Sequence, residues 1–252
     1  LITNSTASAA TSSLALFDSN VGYSTQSTFD SEVLSWMWKR HAGFDVIFHK
    51  GDQVSGRQIT HNLGPNKVPE MMWVKAISGA YSHQRDWRVF HNGLNGGSNP
   101  EQYGIKLNSD AAESQNSGYW NDTSPTSTSF TVGNSNEVNA TGLTYMTMLF
   151  ASVDDISKVG YYTGNGSTQT ISTGFAPRFV IIRRTDGTED NWVVLDTTRG
   201  WASGDDKVLK LNENHQQGTS DDFGAPTPSG FSLTSDGWVN YDTGKFIYYA
   251  HA

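Results

Sequence analysis

Residues that can do chemistry are sought in this chain under four kinds of pattern. The first is a set of aromatic residues in polar, glycine-rich surroundings: Tyr119 and Trp120 in Ser117-Gly118-Tyr119-Trp120-Asn121-Asp122, Trp201 in Arg199-Gly200-Trp201-Ala202, and Trp238 after Asp236-Gly237. An exposed indole or phenol ring offers a flat apolar face to a sugar, and neighbouring Asn and Asp groups exchange hydrogen bonds with its hydroxyls. These four residues are the candidate glycan contacts. The competing reading is that such rings cover the end of a β-sandwich or pack on another subunit.

The second group is acidic: Asp186-Gly187-Thr188-Glu189-Asp190, Asp205-Asp206 and Asp221-Asp222. Oxygen-rich clusters suit calcium, but none has the spacing of a dedicated calcium loop, and adjacent acids on an extended chain point in opposite directions. They read as solvated turns, so no metal or cofactor is expected. Glycoside cleavage would need two carboxylates at a defined separation across a cleft, and no acid pair recurs in both copies to point to one. The third group is histidine: His61, His91 and His215 lie far apart, with no His-Glu-x-x-His spacing for zinc. The fourth would be a nucleophile elbow or a phosphate loop, and neither motif occurs. No catalytic residue is assigned, and the chain reads as non-enzymatic. Sequons at Asn4, Asn121, Asn139 and Asn165 follow from a composition rich in Asn, Ser and Thr.

The elements that must carry these residues come in two copies. Val68-Pro69-Glu70-Met71-Met72-Trp73-Val74-Lys75 returns as Ala176-Pro177-Arg178-Phe179-Val180-Ile181-Ile182-Arg183, Trp87 returns as Trp192, Lys106-Leu107-Asn108 as Lys210-Leu211-Asn212, and Val138-Asn139 as Val239-Asn240. The offset falls from 113 (Gly51 to Gly164) to 101 (Val138 to Val239), with each lost residue in a polar stretch. One module is repeated with shorter loops, and repeats of whole domains commonly build extended, presenting proteins. The expected organisation is a module over 45–153 and a second over 158–252. Residues 1–44, where Val33–Trp38 matches Met146–Ala151, would be the C-terminal half of an earlier, incomplete module, making this chain the end of a longer protein.

Within each copy, short apolar and β-branched runs alternate with Gly, Asn, Asp and Pro. Strands are expected near Asp45–Lys50, Gln58–Asn62, Met71–Ala76, Trp87–His91, Tyr103–Asn108, Ser129–Val132 and Tyr145–Phe150. Their counterparts fall near Lys158–Thr163, Thr168–Ser172, Arg178–Arg184, Asn191–Asp196, Lys207–Asn212, Gly230–Leu233 and Phe246–Ala250. Asp186-Gly187 and Asp236-Gly237 read as left-handed hairpin positions. Gly93–Pro100 and Gln216–Pro228 read as variable solvent-facing loops. Seven short strands per copy predict an all-β fold of tandem antiparallel β-sandwich modules. Trp73, Trp87 and Trp192 sit at matched strand positions and belong to the core on this reading.

Composition sets outer limits. Charged residues are 17% of the chain and the net charge is −8, which opposes the basic footprint that nucleic-acid binding needs. With no cysteine, neither a disulfide framework nor a thiolate metal site is available. No apolar run is long enough for a membrane-spanning helix, and no membrane insertion is expected.

The ordered set Trp36-Met37-Trp38-Lys39-Arg40, Gly43-Phe44-Asp45-Val46, His61-Asn62-Leu63-Gly64, Val68–Lys75, Asp86–His91, Leu107–Asp110 and Tyr161–Gly166 resembles tandem modules of marine bacteriophage proteins, cyanophage ones especially. The resemblance covers nearly all the chain from residue 33. It implies concanavalin-type jelly-roll modules in a tail fibre or other virion surface protein. On that footing the expected role is a virion structural protein attaching to host-surface glycan, located on the particle surface. Its expected partners are other virion proteins, further copies of itself (a trimer) and bacterial surface polysaccharide. Two alternatives stay open: a carbohydrate-binding module of a secreted or cell-surface protein, and a polysaccharide depolymerase.

Overall fold

A computed structural model describes the side chains of residues 36–78 and 86–252, and the backbone alone of 15–19 and 22–25. Of the expected half-module over 1–44, the described part holds one hairpin, β1 (Ala15–Ser19) with β2 (Gly22–Thr25). Trp36–Lys39 follows with no strand pairing, whereas the match to Met146–Ala151 predicts a strand there. The rest of that expectation lies outside the described residues.

Beyond it the chain is antiparallel β-structure in two sets. The first comprises β3 (Phe44–Lys50), β4 (Arg57–Thr60), β5 (Met71–Ser78), β6 (Arg88–His91), β7 (Tyr103–Lys106), β8 (Ser114–Gln115), β9 (Ser129–Val132) and β10 (Thr144–Phe150). The second comprises β11 (Ser157–Thr163), β12 (Gln169–Ser172), β13 (Phe179–Arg184), β14 (Val193–Asp196), β15 (Asp206–Lys210), β16 (Gly218–Asp221), β17 (Pro226–Thr227), β18 (Gly230–Leu233) and β19 (Lys245–His251). The large sheets have orders β3-β10-β5-β6-β7-β8 and β11-β19-β13-β14-β15-β16, the same path twice. Small sheets β4-β9 and β12-β18-β17 complete them. All fourteen expected strands form, with ends shifted by a few residues.

Repeated residues do the same structural work in both copies. The Asn of Lys-Leu-Asn holds the chain just before β6 or β14: Asn108 Oδ1 accepts from Trp87 N at 2.8 Å, and Asn212 Oδ1 from Trp192 N at 2.9 Å. Asn139 and Asn240 are fully buried and tie loops together, Asn139 donating to Val54 O and Gly133 O, Asn240 to Ser167 O and Thr234 O. Gly51 and Gly164 lie so close to a neighbouring backbone carbonyl (Ala140, Tyr241) that a Cβ would sit 2.0 and 2.1 Å from its oxygen. Glycine is required at both for want of room.

Among the described residues three short α-helices interrupt the strands: α1 (Ser117–Trp120), α2 (Asn136–Asn139) and α3 (Gly237–Asn240), whose first turns are capped by Asn116, Ser135 and Asp236. The expectation of a left-handed hairpin at Asp236-Gly237 is therefore wrong: Asp236 accepts from Trp238 N at 2.7 Å and starts a helix. Gly187 likewise is absent from the positive-φ residues, and the room beside it is taken by Asp190 and Arg184.

Each large sheet buries both faces. One face packs on its own small sheet, around Val74, Phe90, Trp120, Phe130 and Tyr145 in the first set and Val180, Val193, Trp201, Phe231 and Tyr248 in the second. The other faces meet each other across Trp73, Trp87, Val89, Ile105, Phe150, Phe179, Ile181, Trp192, Ile247 and Tyr249. That shared cluster explains why β5 and β13 read as unbroken apolar runs, the pattern of a strand covered on both sides. It also corrects the picture of an extended array, because the sets are stacked sheet on sheet.

Polar contacts pin the joint. Trp192 Nε1 donates to Lys106 O at 2.9 Å, Glu113 N to Thr185 O at 2.8 Å and Arg183 Nη2 to Ala111 O at 2.7 Å. His91 Nδ1 accepts from Gly93 N at 2.9 Å, so Nε2 carries the proton and donates to Tyr248 O at 3.1 Å. Gly93–Pro100, expected as a free loop, is part of this joint: Leu94 is fully buried, and Cβ atoms on Gly93 or Gly97 would strike Tyr161. The segment carrying Trp36 and Trp38 also lies against both sets. Trp36 packs on Phe179 and donates to Asp196 at 2.9 Å, while Trp38 packs on Phe44 and Phe150 and donates to Tyr249 OH at 3.1 Å.

Candidate functional site

The structure separates the four candidate aromatics. Tyr119 and Trp120 lie in α1 and are buried, at 6% and 1% exposure. Trp120 donates to Tyr103 O at 2.8 Å and meets Phe90 edge-on; Tyr119 lies beneath the Arg88 guanidinium at 4.1 Å. Arg88, itself buried, pairs with Glu137. Trp201 is 2% exposed and packs edge-on against Phe231 in the core of the second set. These three are corrected from ligand contacts to core residues. Their glycine and asparagine neighbours mimic a surface loop, yet the short elements they form turn the ring inward.

Trp238 alone keeps a substantial exposed surface, 41%. The cap of α3 projects it beside the edge of the second large sheet. Phe223, fully buried, lies alongside the indole with ring centroids 6.1 Å apart and planes 25° off parallel. Lys210 Nζ sits 4.2 Å from the ring centroid and 3.0 Å from Glu213, whose Oε2 also meets His215 Nδ1 at 2.9 Å. Trp238, Lys210 and His215, with Val208, Gln216, Gly218 and Asp221, line a recess of about 110 Å³. That is well below the roughly 300 Å³ at which small-molecule pockets begin. The recess suits one substituent of a larger ligand, held by a cation, an amide and a ring edge.

A cluster of acids supports this corner. Asp206 is fully buried between Ala202 and Phe223, accepting from their amides at 3.1 and 2.8 Å. Burial, aided by Asp222 and Asp205, pushes its pKa up to about 6. Asp236 is raised as well, first by burial and then by Asp221 and Asp222. Sequence reading took Asp205-Asp206 and Asp221-Asp222 as solvated turns. Asp206 is instead an internal brace, and its alternation with Val208 on β15 is the signal that would have placed it inward.

Among the described residues no group of three or more His, Asp or Glu side chains is placed to hold a metal ion. Asp186 pairs with Arg184 at 2.9 Å, and Asp190 lies 3.9 Å from the same guanidinium. The histidines have separate structural partners: His61 Nε2 meets Thr126 O at 3.1 Å, His91 crosses the joint and His215 meets Glu213. No helix among the described residues is long and apolar enough to cross a membrane.

No curated protein and no solved structure matches the chain. A family match runs through both strand sets and the Trp36–Trp38 segment. The chain belongs to the family described as a domain of unknown function (DUF7483), which matches residues 19–252.

Proposed function

We propose that the chain is a non-enzymatic structural component of a virus particle surface, part of a tail fibre or capsid-attached fibre, that contacts host-surface glycan. The virion assignment rests on the resemblance to bacteriophage modules. The observation that best supports a presenting role is the joint between the two large sheets. Two sandwiches locked face to face through a shared aromatic core form a stiff body with the small sheets and the Trp238 corner turned outward. Trp238, with Lys210 and His215 beside it, is the contact this reading assigns. A polar-rimmed recess next to an indole edge fits one hydroxyl-rich branch of a polysaccharide better than a whole sugar stacked on the ring. Copies of the chain, in a trimer, would multiply such weak contacts. The same corner would serve a carbohydrate-binding module outside any virus.

The test is binding of the purified protein to a panel of bacterial surface glycans, alongside Trp238→Ala and Lys210→Ala. Saturable binding that falls at least tenfold in Trp238→Ala supports attachment at this corner. Wild-type protein that binds no glycan, or binding indifferent to both substitutions, refutes it. Sedimentation of the wild type reports the trimer, and a strictly monomeric protein at all concentrations counts against the fibre reading.

A further inference from the structure

The recess beside Trp238 is selective in what it can hold. Its volume of about 110 Å³ has room for roughly three or four waters at about 30 Å³ each, so a ligand inserts one substituent and no more. Part of the lining is apolar: the buried Val208 side chain and the Trp238 indole. Val208 stands opposite Gly218 in the β15–β16 pair, and a Cβ on Gly218 would lie 2.9 Å from the Val208 side chain. Glycine at this strand position keeps that side of the recess open. The rest of the lining is polar. Among the described residues, the side chains of Gln216 and Asp221 have no hydrogen-bond partner, so an amide and a carboxylate acceptor stand uncommitted at the recess. The cation there is already spent, because Lys210 Nζ lies 3.0 Å from Glu213, which also holds His215.

The common substituents of a sugar ring can be weighed against this lining. A carboxylate meets the like charge of Asp221 and Glu213, and an ammonium finds no use for the apolar side. A bare hydroxyl leaves Val208 and the indole uncovered. An O-acetyl group covers them but brings no N–H to Asp221. An N-acetyl group is neutral and carries a methyl, an acceptor and a donor together. We propose that the Trp238 recess receives the acetamido group of an N-acetylated amino sugar, its methyl against Val208 and the indole, its carbonyl accepting from the Gln216 amide and its N–H donating to Asp221. A site built to pair an N–H discriminates strongly against an analogue that lacks one, because its own polar group is then left unanswered. The inference deepens the glycan reading of this corner and rests on it.

The probes are three trisaccharides on one backbone: tri-N-acetylchitotriose, chitotriose with free amines, and cellotriose with hydroxyls in their place. Binding is followed by NMR titration of the indole N–H resonances, that of Trp238 being assigned with Trp238→Phe. The expected result is a displaced Trp238 resonance and an affinity for the acetylated trimer at least tenfold above that for cellotriose. Gly218→Val, which fills the recess, should abolish this preference, and Asp221→Ala should reduce it several-fold. If Gly218→Val fails to fold, as judged by circular dichroism, Asp221→Ala decides. Equal affinity for the acetylated trimer and cellotriose overturns the acetamido assignment while leaving the corner a glycan contact. Tightest binding of the free-amine trimer overturns it too, since the acids would then be recruiting a cation. So does a preference that the folded variants retain. No binding by any trimer also overturns it, and the glycan reading falls with it only if the wider panel of surface glycans fails as well.

Discussion

Trp192 gives the sharpest measure of whether the two strand sets are one thermodynamic body. It is 2% exposed in the cluster shared by the two sheets, and its indole N–H donates to Lys106 O of the opposite set at 2.9 Å. A tryptophan buries on the order of 200–250 Å². At about 25 cal/mol per Å² that is roughly 5–6 kcal/mol, and compactness of the unfolded chain trims it by some 10–40%. Trp192→Ala should therefore cost about 3–5 kcal/mol, the usual range for large-to-small core changes. Trp192→Phe keeps most of the ring but strands the Lys106 carbonyl, costing about 1–2 kcal/mol. Urea unfolding followed by circular dichroism and by fluorescence is the assay. Wild type should unfold in one transition by both probes, and Trp192→Ala should lower its midpoint with the slope unchanged. Two wild-type transitions, of which the substitution moves only the later strand set's, would refute the single-body reasoning. A loss below about 1 kcal/mol would refute the burial argument.

His91 is buried with its pKa pushed down to about 4 by desolvation. Its folded pKa lies below the unfolded value of about 6.5, so its contribution is complete above that pH and is lost as pH falls toward 4; an NMR titration showing His91 protonating near 6.5 would contradict this. Asp206 works in the opposite sense: with its pKa raised to about 6, its contribution is complete below about 4 and fades as pH rises toward 6. Urea midpoints of wild type and Asp206→Asn should therefore shift toward the variant between pH 4 and 6.5, and a pH-independent difference would argue against it. Asn139→Ala and Asn240→Ala each strand buried backbone groups and should cost about 2–3 kcal/mol, read from urea midpoints; near-neutral values would show those loops to be braced otherwise. Gly93→Ala forces a Cβ to within 2.4 Å of Tyr161 and should lower the melting temperature, with Tyr161→Ala restoring part of the loss if the clash is the cause.

The strands were legible in the sequence because each needs only local information. Apolar runs at Met71–Ser78 and Phe179–Arg184 follow from both faces being covered, and short aromatic or β-branched runs bounded by turn residues mark Ser129–Val132 and Gly230–Leu233. Repetition supplied the rest: Asn108 with Asn212 mark the same hydrogen bond made twice, and Gly51 with Gly164 mark positions where a neighbouring carbonyl leaves no room for a side chain. The short helices were missed although Asn116, Ser135 and Asp236 are ordinary cap residues, since one helical turn leaves no periodicity to detect.

The candidate site was less legible. Tyr119, Trp120 and Trp201 stand among polar residues, and whether such a ring faces water depends on where a single turn of chain aims it. Only Trp238 came out exposed, and its neighbours Lys210 and Phe223 come from separate strands and loops. By itself the sequence determined an all-β fold, its strands and its duplication, because alternation, turn residues and repeated braces are written along the chain. The face-to-face joint and the inward placement of Tyr119, Trp120 and Trp201 were decided by tertiary structure alone, because they arise where residues distant in sequence meet.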